Sequence, residues 1–168
     1  MQNEENAKPT ILVIDDNPAN LVALEAVLGT SEYEVVTASS GPEALSILDA
    51  RPFALILLDV HMPGMDGYKT ARLIKSTSYG AHVPIIMISA IYREDWHVQR
   101  AYEAGAVEYI SKPFNPDVLR LKVGVYADLY QKSLALKSLE EKHRKLERRV
   151  EELSRAIDAQ RGGDPHPN

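Results

Sequence analysis

Five short apolar runs, each followed by a stretch of helical character, constrain the fold of this chain more than any other feature. The runs are rich in Ile, Val and Leu and cover residues 11–15, 33–38, 54–59, 84–89 and 107–111. Helical patterns occupy residues 18–28, 42–50, 68–75 and 94–104, and a long one begins at Pro116. This alternation is typical of βα units on a parallel sheet. The sequence therefore predicts an α/β fold made of five βα units.

Local signals support these boundaries. Pro18 and Pro42 suit the first turn of a helix, where a missing N–H costs no hydrogen bond, and Gly29 and Gly105 suit helix ends. The third run is apolar without alternation, which is typical of a central strand covered on both faces. For five such units we expect a doubly wound sheet with strand order 2-1-3-4-5.

The last helix continues past the point where a domain of this class ends. Apolar residues and one histidine recur there at alternating spacings of 3 and 4, with mostly charged residues between them. The a and d positions of this heptad pattern are Leu136, Leu139, His143, Leu146, Val150, Leu153 and Ile157. The pattern predicts a coiled coil, and we expect a parallel homodimer through it. The alternative is a surface helix that folds back on the domain.

Composition excludes several kinds of chemistry and binding partner for this chain. The 168 residues include no Cys, which excludes disulfides, thiolate catalysis and zinc–thiolate sites. No apolar run approaches the roughly 20 residues of a membrane span, and the N-terminus lacks a signal pattern. We therefore expect a cytoplasmic protein that does not bind membranes. The net charge of −5 argues against nucleic-acid binding by this chain.

Three carboxylates stand where two of the predicted strands end. Asp15 and Asp16 close the first run and Asp59 closes the third. Because these strands are neighbours in the expected order, their carboxyl ends meet at one edge of the sheet. A single Asp after a strand is usually a helix cap, but three clustered carboxylates repel one another unless a cation neutralises them. Oxygen-only ligation indicates Mg2+ or a similar hard ion.

Two further side chains complete the predicted pocket. Ser89 ends the fourth run with a hydroxyl, and Lys112 follows the fifth with an ammonium. This combination suits phosphoryl transfer to a carboxylate, in which Mg2+ and Lys112 neutralise the phosphoryl oxygens while Asp59 attacks phosphorus. Elsewhere, His97 is isolated and has no predicted role, and we expect Trp96 to pack against the domain.

Residues 9–130 resemble the receiver domain of two-component response regulators. The resemblance rests on the segments ILVIDDNPANL, LILLDVHMPGMDGY, PIIMISA and AGAVEYISKPF, which occur in the family's order and at its spacing. It implies a flavodoxin-like fold with Asp59 as the phosphoacceptor and Lys112 as the counter-charge of the phosphate. It also implies a signalling domain, not an enzyme, whose phosphodonor is a sensor histidine kinase or a histidine phosphotransfer protein.

The same resemblance implies more detailed roles. Mg2+ would be bound by the Asp16 and Asp59 side chains and the His61 backbone carbonyl, with Asp15 acting through water. Ser89 and Tyr109 match the switch hydroxyl and the switch aromatic residue. The ring of Tyr109 is expected to turn inward on phosphorylation, and the peptide bond between residues 112 and 113 is expected to be cis.

These interpretations divide the chain into four parts. We expect a disordered tail at residues 1–8, a receiver domain at 9–130, a coiled-coil helix at 131–160 and a flexible linker or tail at 161–168. A linker-like end after an extended helix favours an effector domain outside this chain, and the alternative is a stand-alone receiver that acts by protein contact.

Two rival functions are weaker. An aspartyl-phosphate phosphatase requires a second Asp two residues after the nucleophile, where this chain has His61. A flavin carrier with the same fold requires a hydroxyl-rich phosphate loop after the first strand. Here the two acidic residues Asp15 and Asp16 stand in that position and would repel the flavin phosphate.

Overall fold

A computed structural model describes residues 8–29, 32–90 and 95–161. It contains one parallel sheet of five strands in the order β2-β1-β3-β4-β5. The strands are β1 (Thr10–Ile14), β2 (Glu34–Ala38), β3 (Leu55–Asp59), β4 (Ile85–Ser89) and β5 (Glu108–Ser111). The helices are α1 (Pro18–Leu28), α2 (Gly41–Leu48), α3 (Gly67–Ser76), α4 (Asp95–Glu103) and α5 (Pro116–Arg161). The predicted α/β fold and strand order are confirmed.

Burial along the strands explains their composition. Every residue of β1, β3 and β4 is buried, whereas the edge strands β2 and β5 are partly exposed. A central parallel strand is covered by helices on both faces, which is why β3 carries the uninterrupted apolar run LILL. The pairing of Asp59 with Ile88 and of Ser89 with Ser111 aligns the carboxyl ends of β3, β4 and β5.

Helix starts follow from short-range hydrogen bonds. The side chain of Asn17 accepts from the Ala19 N–H at the start of α1, and Pro18 stands in its first turn. At α2, Ser40 accepts from the Glu43 N–H, and Glu43 accepts in return from the Ser39 N–H. These caps satisfy backbone donors that have no partner inside the helix.

The apolar core has two layers, one on each face of the sheet. One layer contains side chains of α2, α3 and α4, such as Leu48, Ala71 and Ala101. The other contains side chains of α1 and α5, such as Leu28 and Val123. This arrangement is the doubly wound architecture that the sequence predicts.

The helix α5 spans two compact units, the first of which ends at Tyr130 and the second of which includes the helix from Gln131 onward. In the second unit the six apolar heptad residues are all 51–65% exposed, namely Leu136, Leu139, Leu146, Val150, Leu153 and Ile157.

The tails predicted at 1–8 and 161–168 lie outside the described residues, except for Lys8 and for Arg161, which ends the helix. Within residues 8–29, 32–90 and 95–161, none of the helices combines the length and apolar character required to cross a bilayer.

Candidate functional site

The carboxyl ends of β1 and β3 bring the three predicted carboxylates together. Asp15 and Asp16 follow β1 directly, and Asp59 is the last residue of β3. Carboxylate oxygens from the three side chains lie within 4.8 Å of one another. Asp15 and Asp59 are only 1% and 7% exposed, whereas Asp16 is exposed. The cluster therefore has a buried floor and one side chain that reaches solvent.

Lys112 joins this cluster from the end of β5. Its Nζ lies 2.8 Å from Oδ1 of Asp59 and 3.3 Å from Oδ2 of Asp15. The peptide bond between Lys112 and Pro113 is cis, as the family resemblance implies. Three ionised carboxylates and one ammonium leave a formal charge of −2 in a small, partly buried volume.

Backbone and amide donors hold the two buried carboxylates in place. Asp15 accepts from the Asn17 N–H at 2.9 Å and from Asn20 Nδ2 at 3.2 and 3.0 Å, one contact to each carboxylate oxygen. Oδ2 of Asp59 accepts from the His61 N–H at 2.8 Å. Sequence reasoning did not identify Asn20. Its position in the first turn of α1, five residues after Asp15, is the signal that could have found it.

The electrostatics of the cluster follow from burial and from Lys112. Burial raises the pKa of Asp59, the neighbouring charge of Asp15 raises it further, and the hydrogen bond from Lys112 opposes both effects. Burial disfavours the charged form of Lys112, yet the hydrogen bonds and charges of Asp59 and Asp15 together raise its pKa. Lys112 therefore stays cationic, but its single positive charge does not fully neutralise the negative charge of the three carboxylates. An all-oxygen donor set with residual negative charge fits a hard divalent cation.

Ser89 and His61 form the side of the site nearest β4. Ser89 is fully buried, and its Oγ lies 3.4 Å from Nδ1 of His61. His61 is an exposed residue in the loop that follows Asp59. This contact joins residues 28 positions apart, and no local sequence pattern indicates it.

The predicted switch aromatic residue, Tyr109, lies in β5. Its side chain is 5% exposed and belongs to the core layer that contains α2, α3 and α4. The ring is therefore directed inward in this structure.

Two predictions about α4 are wrong. His97 is 7% exposed, and its Nδ1 lies 3.1 Å from the Tyr68 hydroxyl, so it is neither isolated nor without a partner. Trp96 is 52% exposed and is not packed in the core. The two rings lie against each other, with their centroids 3.3 Å apart, and the imidazole is the buried one of the pair.

Comparison with known proteins assigns the class that this fold and site define. A family described as "Response regulator receiver domain" matches residues 11–124. The chain belongs to the receiver-domain family of two-component response regulators. This membership sets aside the phosphatase and flavin-carrier alternatives.

Two relatives show how much of this chain and of longer proteins the similarity covers. The response regulator PleD of Caulobacter vibrioides is 40% identical over 113 residues, 67% of this chain and 25% of PleD. A probable cyclic di-GMP phosphodiesterase of Vibrio cholerae is 32% identical over 160 residues, 95% of this chain and 36% of the relative. The chain thus spans only about a quarter to a third of these two proteins. Since the second match leaves out just eight residues, it continues along α5 beyond the receiver domain.

A solved structure shows the same fold with a metal. It is the receiver domain of a sensor histidine kinase from Pseudomonas aeruginosa PAO1, described with a magnesium ion coordinated in the active site cleft. It is 30% identical to this chain, has a TM-score of 0.65, and the match covers 73% of this chain and 99% of that one.

Proposed function

We propose that this chain is a phosphorylation-dependent receiver in a two-component phosphorelay, with Asp59 as the phosphoacceptor. The observation that supports this most strongly is the position of Asp59. Its carboxylate is 7% exposed, lies 2.8 Å from the Lys112 ammonium and shares the pocket with Asp15 and Asp16. A nucleophilic carboxylate beside a fixed cation and further oxygen ligands is the arrangement that phosphoryl transfer to aspartate requires.

The donor set supports Mg2+ as the cofactor. In this proposal the Asp16 and Asp59 side chains and the His61 backbone carbonyl bind the ion, and Asp15 acts through water. Bound Mg2+ supplies positive charge to the transferring phosphoryl oxygens. The His61 N–H already holds Asp59 at 2.8 Å, which keeps this loop against the carboxylate.

Transfer of the phosphoryl group requires only a phosphohistidine donor and the Asp59 carboxylate. An Asp59 carboxylate oxygen attacks the phosphorus of a phosphohistidine on a sensor kinase or phosphotransfer protein, and a new P–O bond forms. The P–N bond breaks, and its electron pair goes to the imidazole of the donor. Lys112 stabilises the charge on the phosphoryl oxygens as this happens. We place this exchange in the cytoplasm.

The proposed response to phosphorylation uses the other two predicted residues. The Ser89 hydroxyl, now 3.4 Å from His61, moves to donate to a phosphoryl oxygen. Phosphorylation then increases the population in which Tyr109 is buried and so alters the surface formed by α4, β5 and α5. Such a signal shifts the populations of two existing conformations.

We also propose that residues 131–160 form a parallel coiled-coil dimer that continues from a receiver domain at 9–130. The six exposed apolar heptad residues support this, because such a stripe is stable in water when a second helix covers it. In the parallel arrangement Lys142 at g meets Glu147 at e of the second copy. The helix would transmit the phosphorylation state to an effector domain, and the alternative is a stand-alone receiver that acts by protein contact.

Intact-mass measurement tests the phosphoacceptor. With acetyl phosphate and Mg2+, the wild type should gain the mass of one phosphoryl group, and Asp59→Asn should gain none. Asp49→Asn, at the exposed C-terminal end of α2, is the matched control and should be labelled like the wild type. EDTA should abolish labelling, because the uncompensated carboxylates repel the incoming phosphoryl group. Equal labelling of Asp59→Asn would refute the assignment.

A further inference from the structure

A buried polar pair connects α3 to α4 and has no part in the proposed chemistry. Tyr68 in the first turn of α3 is 3% exposed, and His97 in α4 is 7% exposed. The Tyr68 hydroxyl lies 3.1 Å from His97 Nδ1 and 3.5 Å from the His97 carbonyl oxygen. A hydroxyl and an imidazole are rarely placed in a core without a specific partner, because burying either one unpaired is costly.

Arg100, one turn further along α4, adds two contacts to the same end of α3. Its guanidinium carbon lies 4.4 Å from the centre of the Tyr68 ring. Its Nη2 lies 3.9 Å from Oδ2 of Asp66, whose side chain also caps α3 through the Lys69 N–H. The start of α3 is therefore tied to α4 by a hydrogen bond, a cation–π contact and an ion pair.

A cavity of about 380 Å³ separates these side chains from the loop that follows Asp59. It is lined by residues 60–63 of that loop together with Asp66, Tyr68, His97 and Arg100. Open space between the loop and α4 means that direct packing does not fix their separation. The polar contacts of Tyr68 therefore add to the apolar packing of α3 and α4 at the end of α3 that faces this space.

One member of this pair, Tyr68, shares a core layer with the predicted switch residue. Tyr68 and Tyr109 belong to one core layer, together with Ala101 of α4. Burial raises the pKa of Tyr68, the neighbouring Tyr109 raises it further, and the positive charge of Arg100 opposes both effects. Because α4 contacts β5 and its Ala101 shares the core layer of Tyr109, a displacement of α4 would change the space available to the Tyr109 ring.

We propose that Tyr68 and His97 are a positioning pair, whose hydrogen bond holds α4 against α3 and thereby stabilises the conformation in which Tyr109 is buried. The regulatory meaning of this conformation rests on the proposed function, in which Tyr109 is the switch. The pair acts through the position of α4, since neither residue contributes to the carboxylate and lysine cluster around Asp59.

Loss of the Tyr68 hydroxyl should raise the population of exposed Tyr109. Tyr68→Phe keeps the ring and its contact with Arg100 but leaves the buried His97 nitrogen without this partner. The loss of one such hydrogen bond changes an equilibrium by about three- to tenfold. We expect a change of that size in the ratio of exposed to buried Tyr109.

Fluorine NMR of the full chain labelled with 3-fluorotyrosine measures this ratio, with the Tyr109 signal assigned from Tyr109→Phe. In Tyr68→Phe the Tyr109 signal should move towards that of Tyr79, which is 62% exposed. Tyr33→Phe is the matched control, because Tyr33 is 7% exposed but lies in the other core layer. It should leave the Tyr109 signal unchanged. A Tyr109 signal that is identical in Tyr68→Phe and the wild type would overturn the proposal.

Variants of His97 separate the hydrogen bond from general packing. His97→Asn retains a polar atom near the Nδ1 position and should keep the wild-type Tyr109 signal, whereas His97→Leu should shift it as Tyr68→Phe does. Equal shifts in His97→Asn and His97→Leu would contradict a role for the hydrogen bond. Amide spectra establish that each variant is folded.

Beryllofluoride with Mg2+ distinguishes this proposal from the proposed function. As a phosphoryl analogue it should return the Tyr109 signal of Tyr68→Phe to the buried position. If Tyr68→Phe shifts the signal but beryllofluoride does not restore it, the positioning role stands and the link of Tyr109 to phosphorylation fails.

Discussion

The receiver body up to Tyr130 and the helix beyond it use leucine in opposite ways. In the body, Leu55 and Leu58 are fully buried in the central strand of the sheet. In the helix, Leu139 and Leu146 are 63% and 65% exposed at regular heptad spacing. Side chains of the surrounding core layers cover these two strand leucines, whereas the two heptad leucines are open to solvent in the single chain.

Truncating a leucine should lower the stability of the body when the leucine lies in the body, but not when it lies in the helix beyond Tyr130. Leu55→Ala should lower the free energy of unfolding by about 2–5 kcal/mol, because it removes a buried side chain and leaves a cavity. Leu139→Ala should change it by less than about 0.5 kcal/mol. Urea unfolding followed by the fluorescence of Trp96, the single tryptophan, reports on the body. A large loss of stability in Leu139→Ala would show that the helix packs on the body.

A charge in the predicted seam, the row of a and d residues between Leu136 and Ile157, should abolish association of two chains. Leu146→Asp would place two carboxylates in a dimer interface without partners, and we expect the dissociation constant to rise by about 100-fold or more. Ser138→Asp introduces the same side chain at position c, outside the seam, and serves as the control. Sedimentation equilibrium measures both. Dimers of Leu146→Asp as stable as those of Ser138→Asp would exclude this seam.

Removing the polar residue from the seam should strengthen it. His143 occupies an a position, and its Nδ1 lies 3.5 Å from Oε1 of Glu147 on the same helix. Coiled coils prefer aliphatic side chains at a positions, and His143→Leu replaces an imidazole with such a group. We therefore expect the dissociation constant of the dimer to fall by about tenfold. Sedimentation also detects any change to a larger oligomer. Weaker association of His143→Leu would place His143 outside the seam.

The smallest predicted effect concerns an exposed ion pair at the opposite end of the sheet. The hydrogen bond from Arg51, at 2.6 Å, lowers the pKa of Glu34 below its ordinary value of 4.5. Because the folded-state pKa is depressed, the stabilisation is present above pH 4.5 and is lost as pH falls through the folded value. Glu34→Gln should therefore cost about 0.2–1 kcal/mol at neutral pH and nothing in acid. A difference that persists in acid would rule out the ionic contribution.

Much of the fold and of the carboxylate cluster was predictable because both depend on local rules. The alternation of strands and helices fixes the order of elements, and the end of a strand fixes where Asp15, Asp59 and Lys112 meet. The contacts of Asn20 with Asp15 and of Tyr68 with His97 were not predictable. The second of these depends on how α3 and α4 pack, and no periodicity in the sequence reports the relative rotation of two helices.

We expect phosphorylation to depend on Asp59 in the body and association to depend on the heptad residues of α5. Native mass spectrometry after treatment with acetyl phosphate and Mg2+ measures both properties in one spectrum. The wild type should be a dimer with a phosphoryl group on each chain, Asp59→Asn a dimer without phosphoryl groups, and Leu146→Asp a phosphorylated monomer. Phosphorylated Asp59→Asn, or dimeric Leu146→Asp, would contradict the account.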